Sequence, residues 1–275
     1  MSRDYLSKSQ IDSMNRCEYA FLRRYGFGEI SPANWSMHMG SAVDRAANKD
    51  YAQKIETHVN LPSSDVVEQA VEEFRGLNES EETQWDKGVT EDVAVDHLAE
   101  TMAVFHANIM KGVQPVSVQE EVYVGFEGED WGFLGYVDVV RIGDSGASVV
   151  GVDNKATGRS GGWKTEDAIR ANDWLAYDLG LRAAGHDVEG FEYHVARYGS
   201  GSGKFLVTKQ TQVIALKAHE EARNGFLKLL AERKARKDTI LAAGIAPPRY
   251  DWHCKGCGYR AACAKEWGRE PPGGD

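Results

Sequence analysis

No stretch of this 275-residue chain approaches the roughly 18 consecutive apolar residues that a bilayer span requires, so a transmembrane helix is not expected. The opening segment, MSRDYLSKSQ, lacks the apolar core of a secretory leader. A soluble cytoplasmic protein with no membrane partner is the expectation. No internal repeat is present, so nothing points to an array of stacked units. Cysteine is scarce: there are four, with none between Cys17 and Cys254. Four thiols without a leader point to a reducing compartment, in which they hold metal rather than pair as disulfides. An excess of basic charge is missing too. The formal charge of −10 argues against a polyanionic partner, whose phosphates need Lys and Arg.

The distribution of that charge weakens the objection. Residues 64–100 hold twelve Asp or Glu against Arg75 and Lys87, which accounts for the whole net charge and leaves the remainder neutral. Within that remainder, residues 217–237 carry seven Lys or Arg against three Glu. Two readings stand for this stretch, a basic binding face or the solvated surface of a helix.

Hydrophobic periodicity gives the elements. Ser9-Gln10-Ile11-Asp12 reads as a capping box, and Ile11, Met14, Phe21, Leu22 and Tyr25 follow at helical spacing, with Cys17 on the same stripe. A second helix is predicted from near Gly40 through Val43 and Ala47. Helical patterns over 66–74 and 91–110 form an acidic helical insertion, residues 50–114. From Val116 the period changes to two, and Val116, Val118, Val122, Val124 and Phe126 share a face that Glu120 interrupts. Turns at 128–130 and 143–146 separate strands over 131–142 and 147–155, which completes a three-strand meander. A helix over 165–184, a strand over 191–197, a Gly/Ser-rich hairpin turn, a strand over 204–208 and a basic helix over 211–237 follow. This order predicts an α/β fold with a mixed sheet, as one domain carrying an insertion. The Pro- and Gly-rich tail from Arg269 is expected to be disordered.

The chemistry concentrates in the second and third strands of the meander, G-Y-V-D-V-V around Asp138 and V-G-V-D-N-K around Asp153 and Lys155. Residues i and i+2 of a strand share a face, so Asp153 and Lys155 project together. Charged groups in a β-branched run are costly to bury without partners. A divalent ion is one such partner: carboxylates from neighbouring strands are hard oxygen ligands for Mg2+ or Mn2+, and the lysine can neutralise a phosphate. The alternative is a plain Asp153–Lys155 salt bridge at a strand end. Glu120 is a further carboxylate that could reach this site from the first strand. Arg159, Lys164, Arg170 and Arg197 lie close in sequence and could track a nucleic-acid backbone, or serve as surface charge. Trp163, Trp174 and Tyr198 could stack bases, although core packing suits Trp174 better. At the C-terminal end, C-x2-C-x5-C beside Trp252 and Tyr259, with Cys17 as the distant fourth, is the layout of one four-thiolate site, for zinc or for an iron–sulfur cluster.

These motifs, in this order, resemble the PD-(D/E)xK nuclease superfamily and within it the RecB-like branch that carries an iron–sulfur cluster, which includes AddB nuclease domains, CRISPR-associated RecB-like exonucleases and phage exonucleases. L-S-K-S-Q-I-D-S-M-N-R-C-E-Y-A-F-L-R-R-Y is similar to that branch's opening helix. G-S-A-V-D-R-A-A resembles its G-x-x-x-H helix, G-Y-V-D and V-D-N-K its catalytic motifs, and C-K-G-C-G-Y-R-A-A-C its terminal cluster motif. Asp44 stands at the usual histidine position. The Q-x-x-x-Y motif appears as Asp173-Trp174-Leu175-Ala176-Tyr177, with Asp173 in place of the glutamine and Asn172 as a possible substitute.

The resemblance implies a restriction-endonuclease-like core, a central mixed β-sheet flanked by helices, spanning residues 1–275 as a single nuclease domain. It implies that Asp138, Asp153 and the Asn154 carbonyl bind Mg2+ or Mn2+, with Lys155 catalytic and Tyr177 in the active site; Asp44, a departure at the histidine position, is either a further hard oxygen ligand or a solvated helix residue. It further implies a 4Fe-4S cluster on Cys17, Cys254, Cys257 and Cys263, with zinc as the alternative, joining the region 238–268 to the N-terminus. The expected activity is metal-dependent exonuclease cleavage of DNA, at single-stranded ends, in recombination, repair or end processing. Such a protein would work in a bacterial or phage-infected cell, beside a recombination or repair partner. The competing reading is a nuclease-inactive DNA-binding or scaffolding subunit with a structural metal cluster, which the altered positions Asp44 and Asp173 make worth carrying.

Overall fold

The computed structural model describes residues 4–159, 161–199 and 205–268, apart from the Trp252 side chain. The chain forms two compact units, one from Met1–Pro32, Gly125–Leu134 and Asn224–Asp275, the other from Ala33–Val124 and Gly135–Arg223. Among the described residues, no helix is long and apolar enough to cross a membrane.

The chain opens with β1 (Asp4–Leu6), α1 (Lys8–Arg16) and α2 (Glu18–Phe21), the last continuing as a π turn over Leu22–Gly26. The larger unit begins with β2 (Ala33–Asn34), α3 (Trp35–Thr57), α4 (Ser63–Ser80), β3 (Thr83–Gln84) and α5 (Glu91–Asn108). Next come β4 (Pro115–Gly125), β5 (Trp131–Ile142), β6 (Val149–Thr157), α6 (Thr165–Ala171), α7 (Asp173–Ala183), β7 (Val188–Arg197) and β8 (Gln210–Leu216). Finally α8 (Glu220–Ala243) and α9 (Arg260–Trp267) end the described chain.

The sheet is mixed, in the order β1-β5-β6-β7-β8, with β4 also on β5. β6 runs antiparallel to β5 and parallel to β7, and β8 returns antiparallel. A parallel pair needs a crossover. Here α6 and α7 supply it. Val139 and Val152 face a core shared with α3, α4 and α5, in which Trp35, Met39, Tyr51, Phe74, Leu98, Met102 and Phe105 are buried. On the opposite face, at the buried Gly151 of β6, Leu181 of α7 and Phe191 approach closely enough to fill the place of a side chain. The sheet is thus flanked by helices, as the sequence predicts. The turn between β5 and β6 is tight: Gly143 N–H donates to the Ser148 carbonyl at 2.8 Å, and Ser148 Oγ donates to Glu189 at 2.6 Å. A Cβ on Gly143 would crowd the Ser148 hydroxyl and the Glu189 carboxylate and come within 3.1 Å of the Ser148 carbonyl, so a larger residue would have to displace the Ser148–Glu189 bond.

Several elements differ from expectation. Ser7, not Ser9, caps α1, forming the capping box with Gln10. The long first helix breaks at Cys17, whose extended backbone (φ −164°, ψ 116°) ends α1 and opens α2. The second helix starts at Trp35 rather than near Gly40, because Asn34 caps it by accepting from Met37 N–H at 2.9 Å. The predicted helix over 165–184 is divided at Asn172, which is left-handed (φ 60°). The strand placed at 204–208 is not formed by its described part, Phe205 to Thr208. The last strand is instead β8, in what read as the start of the basic helix. The alternating β-branched Thr211 and Val213, with Ile214 buried, suit a pleated edge better than a helix. The Gly/Ser turn at 200–203, Lys204 and the tail from Arg269 lie outside the described residues.

The basic stretch of α8 is largely spent on ion pairs. Lys234 and Lys237 pair with Asp4, Arg236 with Glu18, and Arg223 with Asp178. The solvated-surface reading therefore fits this helix better than a nucleic-acid face.

Gly180 on α7 packs against Val122, where a Cβ would come within 2.5 Å of the valine side chain. Gly180→Val should lower stability by about 1–3 kcal/mol through overpacking. Gly76→Ala, on the exposed side of α4 with open space around it, should raise stability by about 0.5–1 kcal/mol. Urea unfolding of the two variants checks both signs.

Candidate active site

The β5–β6 ladder ends at the pair Val139 and Val152. One step beyond it lie Asp138 and Asp153, at the point where the two strands part. The Asn154 N–H donates to Asp138 Oδ2 at 2.7 Å across that gap. Lys155 pairs with Asp153 through its Nζ, as strand alternation requires. Asp44, from α3, completes a group of three carboxylates. Its Oδ2 accepts from Asn48 at 3.2 Å, while Oδ1 is buried without a hydrogen-bond partner.

Gln119 was not singled out by the sequence reading. Its side-chain amide reaches both Asp44 Oδ2 and Asp138 Oδ1 at 3.4 Å. It does so because Gln119 adopts a left-handed backbone (φ 49°), which is costly for a residue with a Cβ. This bulge also switches the face of β4: Val118 packs into the core with α3–α5, whereas Val122 packs on Gly180 of α7. The apolar face drawn from Val116 to Phe126 is therefore not continuous. Glu120 is corrected with it. Its carboxylate is held by Ser117 and by His186 at 2.7 Å, so it does not join the three aspartates. The break in alternation at Glu120 was the sequence signal of the bulge.

Electrostatics set this cluster apart. Burial raises Asp44 to about 6, and the Asp153 charge adds to it. Burial and then Asp44 raise Asp138 to about 6. Burial raises Asp153 to about 7, with Lys155 opposing and Asp138 and Asp173 reinforcing the rise. Burial works against the Lys155 ammonium, but Asp153, Asp173 and Asp138 outweigh it and hold the group protonated. Among the described residues, no group of three or more His, Cys, Asp or Glu is already gathered as a ligand set. The donors nonetheless suit a hard divalent ion. They are oxygens, they repel one another, one is unsatisfied, and Mg2+ asks for only one or two carboxylates while keeping its waters.

Asp173, at the start of α7, acts through its charge on both Lys155 and Asp153. It accepts from the Tyr193 hydroxyl and, at 3.1 Å, from Trp174 N–H. Tyr177 is buried and stacks on Phe191 at 5.7 Å. Asn172 forms the helix break in front of Asp173. Arg159, Lys164 and Arg170 are exposed around an open cavity of about 780 Å³ beside the end of β6. Arg159 also pairs with Asp167 at 3.5 Å. Arg197 is half-buried beneath Gly162 of the same loop. Trp163 packs at 5.2 Å from Tyr193, whereas Tyr198 is buried against Trp35 and Phe205 and is not available to stack bases. Trp174 is buried, as its core reading requires.

In the smaller unit the four cysteines are free thiols, and Cys17 and Cys263 share a buried cluster with Tyr19. Burial raises the thiols of Cys257 and Cys263, and charge on the neighbouring cysteines raises them further. Backbone N–H groups point at two of the sulfurs, Arg249 N at Cys17 Sγ (3.4 Å) and Asp251 N at Cys254 Sγ (3.5 Å).

A mixed sheet that presents paired acids and a lysine at the parting of two central strands is the layout of a phosphodiester hydrolase. A model of the PD-(D/E)XK nuclease superfamily matches residues 5–264, and the chain belongs to that superfamily. Nucleases of this class generally use divalent metals such as Mg2+ or Mn2+. The crystal structure of a candidate exonuclease from Eubacterium rectale is 14% identical, covers 96% of this chain and 88% of that one, and superposes with a TM-score of 0.58, which is a likeness of fold. The structure of SSO0001 is 13% identical over 82% of this chain and 98% of that one, at a TM-score of 0.35. No curated protein sequence matches the chain at a significant level.

The raised carboxyls give a pH signature. Each keeps its proton in the folded state at a pH where the unfolded chain, near 3.8, has lost it. The stability they contribute is therefore complete below that value and is lost as pH rises through 6 to 7. Without divalent ions, the melting temperature should fall by a few degrees between about pH 5 and pH 8. Asp153→Asn should flatten this slope, and Mg2+ should raise the melting temperature more at the higher pH, as thermal scans will show.

Proposed function

We propose that this chain is a divalent-metal-dependent DNA exonuclease that hydrolyses phosphodiester bonds at single-stranded ends, in recombination, repair or end processing. The observation that carries the reading is the convergence of Asp44, Asp138 and Asp153 beside Lys155, with the acids raised and the lysine charged. Asp138, Asp153 and the Asn154 carbonyl are the assigned ligands, and Asp44 is the further carboxylate in the histidine position. A bound Mg2+ or Mn2+ supplies Lewis acidity at the phosphate and acidifies water. Gln119 holds Asp44 and Asp138 together before the ion arrives. Lys155 offers its charge to the phosphate. Tyr177 supports this wall from behind, through Phe191. Arg159, Lys164, Arg170 and Arg197 track the strand's backbone, and affinity should fall as salt rises.

The four cysteines are assigned to a 4Fe-4S cluster, with zinc as the competitor. Either would close a loop of about 237 residues and contribute roughly 5 kcal/mol by analogy with cross-links. Its role is structural, and the 50–114 helices and the 238–268 segment serve the same nuclease domain. The setting is the cytoplasm of a bacterial or phage-infected cell, with a recombination or repair protein as partner.

The test is degradation of single-stranded DNA labelled at its 5′ or 3′ end, with Mg2+ or Mn2+, by anaerobically purified protein. Asp153→Asn and Lys155→Ala should each slow cleavage by about 10²- to 10³-fold while remaining folded. Labels that both persist with folded wild type would favour the inactive DNA-binding subunit instead. Cys254→Ala should lower the melting temperature and release iron, and a colourless wild type containing one zinc would overturn the cluster assignment.

A further inference from the structure

Lys155 is ion-paired with Asp153, the same carboxylate that the proposed function assigns to a divalent ion. An ammonium on a ligand carboxylate competes with the metal for it. When the metal takes Asp153, Lys155 needs another partner, because an uncompensated charge in a largely buried place is expensive. Asp173 is built to be that partner. Tyr193 sits directly beside Asp153 in the parallel register of β6 and β7. Lys155 Nζ lies 5.9 Å from the centre of the Tyr193 ring, and the hydroxyl of that ring donates to Asp173 Oδ1. Trp174 N–H holds the same oxygen at 3.1 Å. Asp173 is 4% exposed, and its charge acts on both Asp153 and Lys155.

The Tyr193 ring is itself fixed. Trp163 packs on it at 5.2 Å, and Gln212 clamps the Trp163 backbone by accepting from its N–H at 3.3 Å and donating to its carbonyl at 2.6 Å. The aspartate is therefore held at the hydroxyl end of the ring over whose face the lysine lies.

We propose that Asp173 is a positioning residue, a second counter-ion that receives Lys155 when a divalent ion claims Asp153. The inference rests on the metal-site reading above. It gives the departure from glutamine at this position a specific purpose, since an amide carries no charge with which to take the lysine.

Calorimetric binding of Mn2+ alone to the full chain tests it, as a double-mutant cycle. Asp173→Asn should weaken Mn2+ by about tenfold in the wild-type background and by less than about twofold in a Lys155→Met background, because the effect passes through the lysine. Tyr193→Phe keeps the ring but removes the hydroxyl donor from Asp173 Oδ1, and should weaken Mn2+ by about threefold with the same dependence on Lys155. It carries the test if Asp173→Asn does not fold. Equal weakening in both backgrounds would mean that Asp173 attracts the ion directly, and no weakening in either would mean that it does not contribute; each overturns the proposal. If wild type binds no Mn2+, or binding is indifferent to Asp138→Asn, the metal-site reading fails first and this inference falls with it.

Discussion

Three carboxylates that burial and one another's charge hold back from ionising govern this structure. Asp44, Asp138 and Asp153 come from a helix and two strands, and each sits where burial and the others' charge oppose its ionisation. A fold tolerates such a group only if something positive is supplied. Lys155 supplies it from within, through its ion pair with Asp153. The stability lost at this point is recovered in the core behind it, where Val139 and Val152 anchor the strands immediately before they part. Function and packing therefore meet within one residue: the last buried valines hold the sheet, and the next positions hold the acids.

Much of this was legible in the sequence, for identifiable reasons. Asp153 and Lys155 could be read because strand alternation is a local rule. Asp138 could be read because it sits in an apolar run where a charge has no structural excuse. The pairing of Gln119 with two aspartates could not, since it depends on a left-handed residue inside a strand, and propensity alone would not place one there. Glu120 was misassigned for the same reason: one extra residue in β4 reverses every side chain after it. Asp173 read as a defective motif residue because its neighbours Tyr193 and Lys155 are distant in sequence. β8 was missed because basic and amide residues flank it, and the helix that follows drew the boundary too early. The break at Cys17 is equally non-local, because its stripe continues unbroken on a helical wheel.

The acidic segment shows how charge and burial can be separated along one element. It reads as an acidic insertion, and its Val66, Ala70, Phe74, Leu98, Met102 and Phe105 share one buried cluster with Val139 and Val152. The acids lie on the other side of α4 and α5, where Glu73 is shared between Arg45 and Lys49 of α3. A composition count sees the outer surface of these helices, and hydrophobic periodicity sees the inner one.

The Gly143–Ser148 turn acts as a ruler for the opposite end of its hairpin. It fixes which residue of β5 faces which residue of β6, so Asp138 meets the gap and Val139 meets the core. Adding or removing one residue there would shift β6 against β5 by one position, so that Asp153 no longer stands one step beyond the Val139–Val152 pair beside Asp138. Surface turns are ordinarily where a protein accepts changes of length. This one is a surface turn that must be counted exact, and homologous sequences should vary it in composition more freely than in size.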